Sequence, residues 1–535
     1  MPALQYKRGD YQVHSVQRKE AFQMNARSRA QKLAKRKRRI RHRLRARSWK
    51  AQEKPMLRAG NIRYDVADRS RALAVGGIGA MHCLARRTGL IEAIDQRLQL
   101  LKIHLPYHES DHVLNIAYNI LCGGACIEDL ELLRNDEVYL DALDAERIPD
   151  PTTAGDFCRR FEASDVVGLM DAINETRLRV WEQQPSEFFE QAIIDVDGVI
   201  VSTTGQCKEG MDISFKGEWG CHPLLVSLAN TREPLFLVNR PGNRPSHDQA
   251  AEWIDRAIDL VRRGGFKSVL LRGDTDFSQT TELDRWDEGG VQFVFGIDAM
   301  PNLRQIAETL PKSRWKRLHR RAKYEIETAP RARPVNVKER IVVAREFENI
   351  RLCSEDVAEF DYSPTKCRKT YRVVVVRKNL SVEKGEYVLF DDIRYFFYIT
   401  NIPSTSADEI VFLANDRCEQ ENLIEQLRNG VKALKMPVNT LVSNWAYMVM
   451  ASLAWTLKAW FALLLPETGR WAEKYRRQKQ DVLRMEFKRF LNSIIRVPCQ
   501  IVRTGRRIVY RILAWNPWVE VLLRGADAAR LPLRC

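Results

Sequence analysis

The spacing of apolar positions along this chain changes three times. From about Tyr64 to Glu182 it is helical: Leu73, Ala74, Ile78, Met81, Leu84 and Ala85 recur at helix spacing, and Val113–Leu121 and Ile127–Leu133 repeat the pattern. At Gln191 the period shortens. Ala192–Val201 is a β-rich run, followed by two more at Pro223–Ala229 and Pro234–Val238, joined by the turn-like Asn230-Thr231-Arg232-Glu233. Ser246–Arg263 predicts a helix, with Ala250, Trp253, Ile254, Ala257, Ile258 and Val261 on one face and Gly264-Gly265 ending it. Lys267–Leu271 predicts a fourth strand that closes at Arg272-Gly273-Asp274.

Between about Met300 and Ala414 strand composition returns at Lys338–Arg345, Thr370–Arg377, Tyr387–Leu389 and Ile393–Thr400. A helix is then expected over Asp416–Leu434. After it, Trp445–Leu465 is almost continuously apolar and of bilayer length. Asn444 and Lys458 would be costly in lipid, so this segment is read as a buried core helix and no membrane partner is expected. From about Tyr475 the chain is basic and interleaved with aromatics, among them Arg476, Arg477, Lys488, Arg489, Arg503, Tyr510, Trp515 and Trp518, without an assignable role.

The order strand, strand, strand, helix, strand matches the opening of a ribonuclease H-like fold, in which strands one and four lie side by side. The fold class expected is therefore a multidomain α+β or α/β chain. It divides into a basic arm without structure of its own (1–58), a helical DNA-binding domain (59–190), the first part of a ribonuclease H-like core (191–299), a β-rich insertion (300–414), the second part of the core (415–470) and a basic C-terminal region (471–535).

Charge narrows the partners. The 535 residues hold 86 Lys and Arg against 69 Asp and Glu, a net +17 that favours a polyanion. Much of the excess sits in the run Lys35-Arg36-Lys37-Arg38-Arg39 through Arg47, which has almost no acids nearby and either becomes ordered on phosphates through counterion release, its helix formers leaving open a basic helix on binding, or is a merely solvated tail. The 11 cysteines fall at no regular spacing, as in a reducing compartment, and Cys122 and Cys126 read as small buried residues rather than zinc ligands. No apolar core follows the charges of the first residues, so a cytoplasmic location is expected.

Candidate chemistry lies in the carboxylates. Ile193, Asp195, Asp197, Val199 and Val201 share one face of the first strand, which puts two acids on a face that should be buried. A buried carboxylate needs a metal, an arginine or a hydrogen-bonded network. Asp274 ends the fourth strand, about 4.8 Å away across the proposed pairing. A third acid can come from the helix after Asp416, where Arg417, Glu421, Glu425 and Arg428 form one stripe and Leu423, Leu427, Val431 and Leu434 another. The same stripe also fits a solvated face laced with Arg–Glu pairs. Three such acids can hold two Mg²⁺ (or Mn²⁺) ions about 3.5–4 Å apart for in-line phosphodiester displacement. Strand alternation cannot choose between Asp195 and Asp197. His222, next to Cys221, reads as a packed or phosphate-contacting residue, and Trp315, among Lys312, Arg314, Lys316 and Arg317, either as an exposed aromatic that could stack on a base or, equally, as a core Trp beside solvated lysines.

Five motifs in order carry a resemblance: Asp197-Gly198-Val199; Phe215-Lys216-Gly217 with Gly220-Cys221-His222-Pro223; Arg240-Pro241-Gly242-Asn243; Arg272-Gly273-Asp274-Thr275-Asp276-Phe277; and Arg417-Cys418-Glu419-Gln420-Glu421-Asn422. From about Ala72 to Pro466 the chain resembles the DDE transposases of bacterial insertion sequences, above all the family whose element name carries the number thirteen-eighty. The resemblance implies metal ligands at Asp197, Asp274 and Glu421. It places Asp197 ahead of Asp195 because the ligand stands just before a small residue, here Gly198, open to a phosphate or metal. Asp195 would then hold a lysine or a backbone amide. The signature Tyr-x2-Arg-x3-Glu-x6-Lys is kept at Arg417 and Glu421, with Ala414 in place of Tyr and Arg428 in place of Lys, so phosphate binding by Arg417 and Arg428 is retained by charge. The resemblance implies a transposase acting as a homodimer or larger assembly on double-stranded DNA, both terminal inverted repeats and target, at the bacterial nucleoid. The sequence shows no Walker motif, so no nucleotide cofactor is expected. A structure-specific nuclease on the same core and a catalytically inactive DNA-binding protein are the rival readings.

Overall fold

The computed structural model describes residues 28–45, 56, 59, 63, 70–320, 337–384, 387–504 and 507–533. Its first element is a helix over 28–44 (α1), composed chiefly of the strong helix formers Ala, Leu, Gln, Lys and Arg. The basic arm was expected to lack structure of its own. Over 28–44 it is helical because residues 29, 33, 36, 37 and 40, recurring at helix spacing, are half-buried against the rest of the chain. Ala46 and Arg47 lie outside the described residues.

The helical stretch contains Ile78–Arg87, Leu90–Arg97, Glu109–Cys122, Pro151–Arg159 and Ala163–Trp181 (α2). Local chemistry sets these ends: Asp150 accepts from the Thr153 amide, with Pro151 in the first turn. Gly123 ends Glu109–Cys122 at φ 102°, a conformation glycine adopts freely.

The next strands build the sheet that positions the acids: β1 (Gln191–Gly198), β2 (Leu224–Leu228) and β3 (Glu233–Val238), then the helix α3 (Ala250–Arg263), β4 (Ser268–Gly273) and β5 (Gln292–Ile297). β1 pairs antiparallel with β2 and parallel with β4, and β4 pairs parallel with β5. Strands one and four of the sequence pattern are therefore neighbours, with Asp195 opposite Arg272.

The β-rich stretch after 300 continues this sheet. β6 (Glu348–Tyr362), β7 (Tyr371–Lys384) and β8 (Tyr387–Thr400) form an antiparallel meander whose last strand pairs with β5, giving nine strands with Lys316–Arg317 at one edge and β3 at the other. Two expectations are corrected here. Lys338–Arg345, read as a strand from Ile341-Val342-Val343, lies mostly within a helix, Val337–Ala344, whose Val337 and Ile341 are exposed, so no sheet neighbour claims its β-branched run. The strand that follows, β6, went unread because acids interrupt its alternation at Glu355, Asp356 and Glu359.

Two helices then cross one face of the sheet, α4 (Ala407–Asn415) and α5 (Cys418–Glu425), and the chain reaches α6 (Leu441–Leu463). The single helix expected over Asp416–Leu434 is shorter: α5 passes into a π-helical turn at Gln426–Gly430. α6, the one described helix long and apolar enough to cross a bilayer, is buried along its whole apolar window. Its tryptophans are pinned to the edge strand: the indoles of Trp445, Trp455 and Trp460 donate to Leu237 O (2.5 Å), Arg232 O (2.6 Å) and Glu233 Oε1 (2.9 Å). Lys458 donates to Leu483 O at 2.8 Å and lies 3.8 Å above the Trp455 ring, which accounts for a charge inside this helix. The basic C-terminal stretch is folded, with a hairpin of β9 (Cys499–Thr504) and β10 (Arg507–Ile512) and a helix α7 (Val519–Ala528). Ala72–Leu73 pairs with Gln500 and Cys499 at the edge of β9.

One buried carboxylate joins these layers. Glu233, fully buried at the start of β3, accepts from Arg177 Nε (3.0 Å) and Trp460 Nε1 (2.9 Å) on one oxygen, and from Trp181 Nε1 (3.2 Å) and Thr231 Oγ1 (2.6 Å) on the other. Removing it strands the Arg177 guanidinium without its counterion. Glu233→Ala is expected to lower unfolding stability by about 3–5 kcal/mol, and Trp460→Phe by about 1 kcal/mol. Urea denaturation checks both, and a loss for Glu233→Ala no greater than for Trp460→Phe would contradict the role given to the carboxylate.

Candidate active site

The two acids of β1 have different partners. Asp195 is buried and closed off by Arg272, whose Nε and Nη2 donate to its two oxygens at 2.7 and 2.8 Å while Nη1 reaches Leu413 O at 3.1 Å. Its expected partner, a lysine or a backbone amide, is thus an arginine from the adjacent parallel strand. A bidentate guanidinium satisfies the carboxylate and leaves it no free face. Asp197, one pleat further on, lies at the carboxyl-terminal end of β1 and is partly open. Asp274 follows β4 directly, and its Oδ1 accepts from the Asp276 amide at 3.0 Å, which fixes the turn Thr275–Phe277. Parallel pairing brings these strand ends to the same edge of the sheet.

Arg417, at the start of α5, reaches down between them. Its Nη1 donates to Asp197 Oδ2 at 3.0 Å, and its Nη2 lies 4.0 Å from Asp274 Oδ2. Gln420 holds α5 in place by donating to Leu225 O at 3.2 Å, and Glu419, turned the other way, pairs with Arg232 at 3.0 Å. Burial pushes the Asp197 carboxyl up to about 6, against the pull of Arg417 and with a further push from Asp274. Burial raises Asp274 as well, again against Arg417. Arg417 is held above its ordinary value even though burial opposes this, because Asp197, Asp274, Glu421 and Asp195 all favour its charge.

Glu421 is exposed, one turn along α5 from Arg417, on the stripe opposite the buried Leu423 and Leu427. Arg428 lies in the π-helical turn, exposed, and donates to Ile200 O at 2.8 Å. The pair Asp197–Asp274 is thus closed by a guanidinium, and among the described residues no three His, Cys, Asp or Glu side chains gather closely enough to hold an ion.

The glycine after Asp197 has a different use from the one expected. A Cβ on Gly198 would meet His222 Nε2 at 2.7 Å and Ser246 at 3.1 Å, so glycine here admits the buried imidazole rather than a phosphate or metal. His222 is fixed by its Nδ1, 2.7 Å from Arg244 O. Arg240 holds the same loop, donating to the carbonyls of His222, Ser246 and Asp248. A Cβ on Gly242 would strike the carbonyl oxygens of Gly220 (2.2 Å) and Asp212 (2.5 Å). The Arg240-Pro241-Gly242-Asn243 motif therefore shapes the loop beside the acids.

Trp315 is half-buried against the core, and the Arg377 guanidinium caps its ring at 4.2 Å, so it is not the open aromatic the sequence suggested. Phe215 is an open aromatic, 70% exposed at a turn, its ring centroid 6.1 Å from that of His222. In the sequence Phe215 stands within a motif but carries no assigned role. Sequence reasoning also missed Asp298, which follows β5 at the same edge and pushes Asp274 upward, and Tyr398 of β8, whose hydroxyl senses Arg417. Lys35, Arg36, Lys37, Arg38 and Arg39 all lie on α1.

The family described as transposase DDE domain group 1 matches residues 67–531. No curated protein matches the chain. A solved structure of a piggyBac transposase synaptic complex with hairpin DNA is 9% identical, with a TM-score of 0.32 over 78% of this chain and 87% of that one.

The guanidinium between the acids makes a testable link to pH. In Arg417→Ala, Asp197 and Asp274 face each other without a cation, and stability at pH 8 is expected to fall by about 3 kcal/mol. A carboxyl whose folded-state pKa lies near 6, above its unfolded value near 4, takes up a proton as pH falls through 6, so acidification favours the folded state. Losing Arg417 raises that pKa further, and the deficit of the variant should shrink between pH 8 and pH 5. Thermal unfolding across this range checks it, and a deficit independent of pH would contradict it.

Proposed function

The chain belongs to the transposase DDE domain group 1 family, and on that premise we propose that it is a DNA transposase that binds the ends of a bacterial insertion sequence, cleaves a strand there and joins it to target DNA. The observation that carries the site assignment is the convergence of Asp197 and Asp274, from adjacent parallel strands, on Arg417 of a helix laid across them. The strand order β3-β2-β1-β4-β5, antiparallel in its first three members and parallel in its last three, supports a ribonuclease H-like core. The five sequence motifs support the insertion-sequence family numbered thirteen-eighty. The working units proposed are the arm (1–58), the helical DNA-binding unit (59–190), the core in two parts (191–299 and 415–470), the strands that extend its sheet (300–414) and the C-terminal region (471–535).

The donor chemistry, hard carboxylate oxygens, suits two Mg²⁺ or Mn²⁺ ions, although among the described residues the three acids are not gathered around a point and Arg417 stands where a cation would. Asp197 and Asp274 already face a common cation, the Arg417 guanidinium, and offer only hard oxygen atoms. Asp197 and Asp274 would hold the ions with Glu421, which stands one helical turn from Arg417. Bound there, the ions would supply activation of the attacking water or 3′-hydroxyl and stabilisation of the departing 3′-oxygen. Arg417 neutralises the two aspartates in the free protein, and its planar fork suits a phosphate equally well. Arg428 adds charge about three turns further along, and Phe215 offers a ring on which an unpaired base can stack. Asp195, locked to Arg272, holds β1 against β4 and so fixes where Asp197 stands. Transfer of a phosphodiester to a 3′-hydroxyl forms one P–O bond as another breaks, so no nucleotide hydrolysis is required. The assembly proposed is a dimer or larger, with two DNA ends and a target.

The test is metal-dependent strand cleavage and joining on duplexes carrying the ends of the element, with DNA binding measured in parallel. Asp197→Asn, Asp274→Asn and Glu421→Gln should abolish both reactions and keep binding. Asp195→Asn should lower thermal stability and cost about 10–100-fold in rate. Cleavage without joining in the unmodified protein would favour a nuclease, and binding without either reaction an inactive DNA-binding protein. Retention of cleavage by Asp197→Asn would overturn the assignment.

A further inference from the structure

The basic arm and the basic C-terminal stretch, far apart in sequence, meet in the structure. Arg29 of α1 forms a two-pronged ion pair with Asp527 of α7, its Nη1 and Nη2 at 3.2 and 2.7 Å from the two carboxylate oxygens. Arg36 Nη1 donates to Ile512 O, the last residue of β10, at 2.5 Å, and Lys37 lies 5.4 Å from the Trp515 ring centroid. Leu33 packs against the main core. The docked face is thus held by a charge pair, a backbone carbonyl, an aromatic ring and one apolar contact.

The opposite face is uniform in sign. Lys32, Lys35, Arg38, Arg39, Arg41 and Arg43 are exposed, and residues 28–45 contain no acid. At 1.5 Å per residue this face is about 25 Å long, and the major groove, about 12 Å wide, admits a helix. An anionic membrane is the poorer partner, because an interfacial helix needs a free apolar face and Leu33 and Ile40 of α1 are turned toward the protein.

We propose that the C-terminal hairpin and α7 act as an intramolecular latch that folds α1 in advance, and that α1 thereby presents a preformed row of cations to the phosphates of duplex DNA. This gives the C-terminal region a role and rests on the reading of the chain as a DNA-acting protein, though not on its chemistry. An isolated run of like charges has to be ordered on binding. A latched helix has already met that cost, so the latch strengthens binding without touching DNA.

The test uses the full chain and a duplex of arbitrary sequence. Arg29→Ala and Asp527→Ala break the same pair from its two ends and change net charge in opposite directions. Both are expected to speed amide hydrogen exchange across 28–44 and to weaken duplex binding on the order of tenfold, with the salt slope unchanged because the bound state neutralises the same phosphates. A combined Lys35→Ala, Arg38→Ala, Arg39→Ala variant should keep slow exchange while its log K versus log salt slope falls by about 0.9 for each phosphate left without its cation. Opposite effects of Arg29→Ala and Asp527→Ala on affinity would reduce the latch to net charge and overturn it. An unchanged slope in the combined variant, or equal loss of binding to phosphatidylserine vesicles and duplex, would overturn the assignment to DNA. Loss of cleavage alone bears on the active site and leaves these readings intact.

Discussion

The fold depends on a carboxylate that never meets water. Glu233 lies where α2, β3 and α6 come together, and its two oxygens take four donors, two from α2, one from α6 and one from the turn that leads into β3. An isolated charge at that depth is unfavourable by many kcal/mol. With Arg177 beside it and two indoles aimed at it, the same charge becomes a fixed point about which the helices and the sheet edge are registered. The tryptophans of α6 extend that registration along β3, since each indole N–H requires an acceptor and finds one on or next to this strand. The core of the molecule is therefore organised by polar contacts inside apolar packing, which only one arrangement of elements satisfies.

The same device recurs at the edge of the sheet where Asp197 and Asp274 meet, with a graded outcome. Two aspartates one pleat apart on β1 each meet an arginine. Arg272, from the neighbouring strand, is rigid and its pair with Asp195 is almost sealed, at 4% and 1% side-chain exposure. Arg417, from a helix laid over the sheet, leaves its pair with Asp197 more open, at 18% and 15%. Burial and partner chemistry thus make one of two chemically identical residues sealed and the other accessible, a distinction invisible in the alternation of a strand.

Much of the arrangement is legible in the sequence because it is local or periodic. The first three strands, the amphipathic helix Ala250–Arg263, the fourth strand and the apolar helix all announce themselves within windows of ten to twenty residues. The pairing of β1 with β4 follows from a general preference for parallel crossovers. What could not be read depends on distant partners. Nothing near Asp195 in sequence names Arg272, and nothing near Gly198 names His222. The run Ile341-Val342-Val343 has strand composition but no strand beside it, whereas Glu348–Tyr362 becomes a strand because β7 and the sheet supply neighbours for its interrupted pattern. Trp315 looked open because lysines and arginines flank it, yet the cation that matters, Arg377, comes from β7 and covers the ring.

The short strand Ala72–Leu73 finds its partner in Cys499 and Gln500, far along the chain. During synthesis at about 5–20 residues per second, roughly 20 to 90 s separate the emergence of the two. The helices that follow Leu73 can collapse early, but this edge waits for nearly the whole polypeptide before its backbone amides and carbonyls are matched. A translation product cut short anywhere in the nine-stranded sheet therefore carries an unpaired β-edge, a feature that proteases and chaperones can tell from the finished molecule.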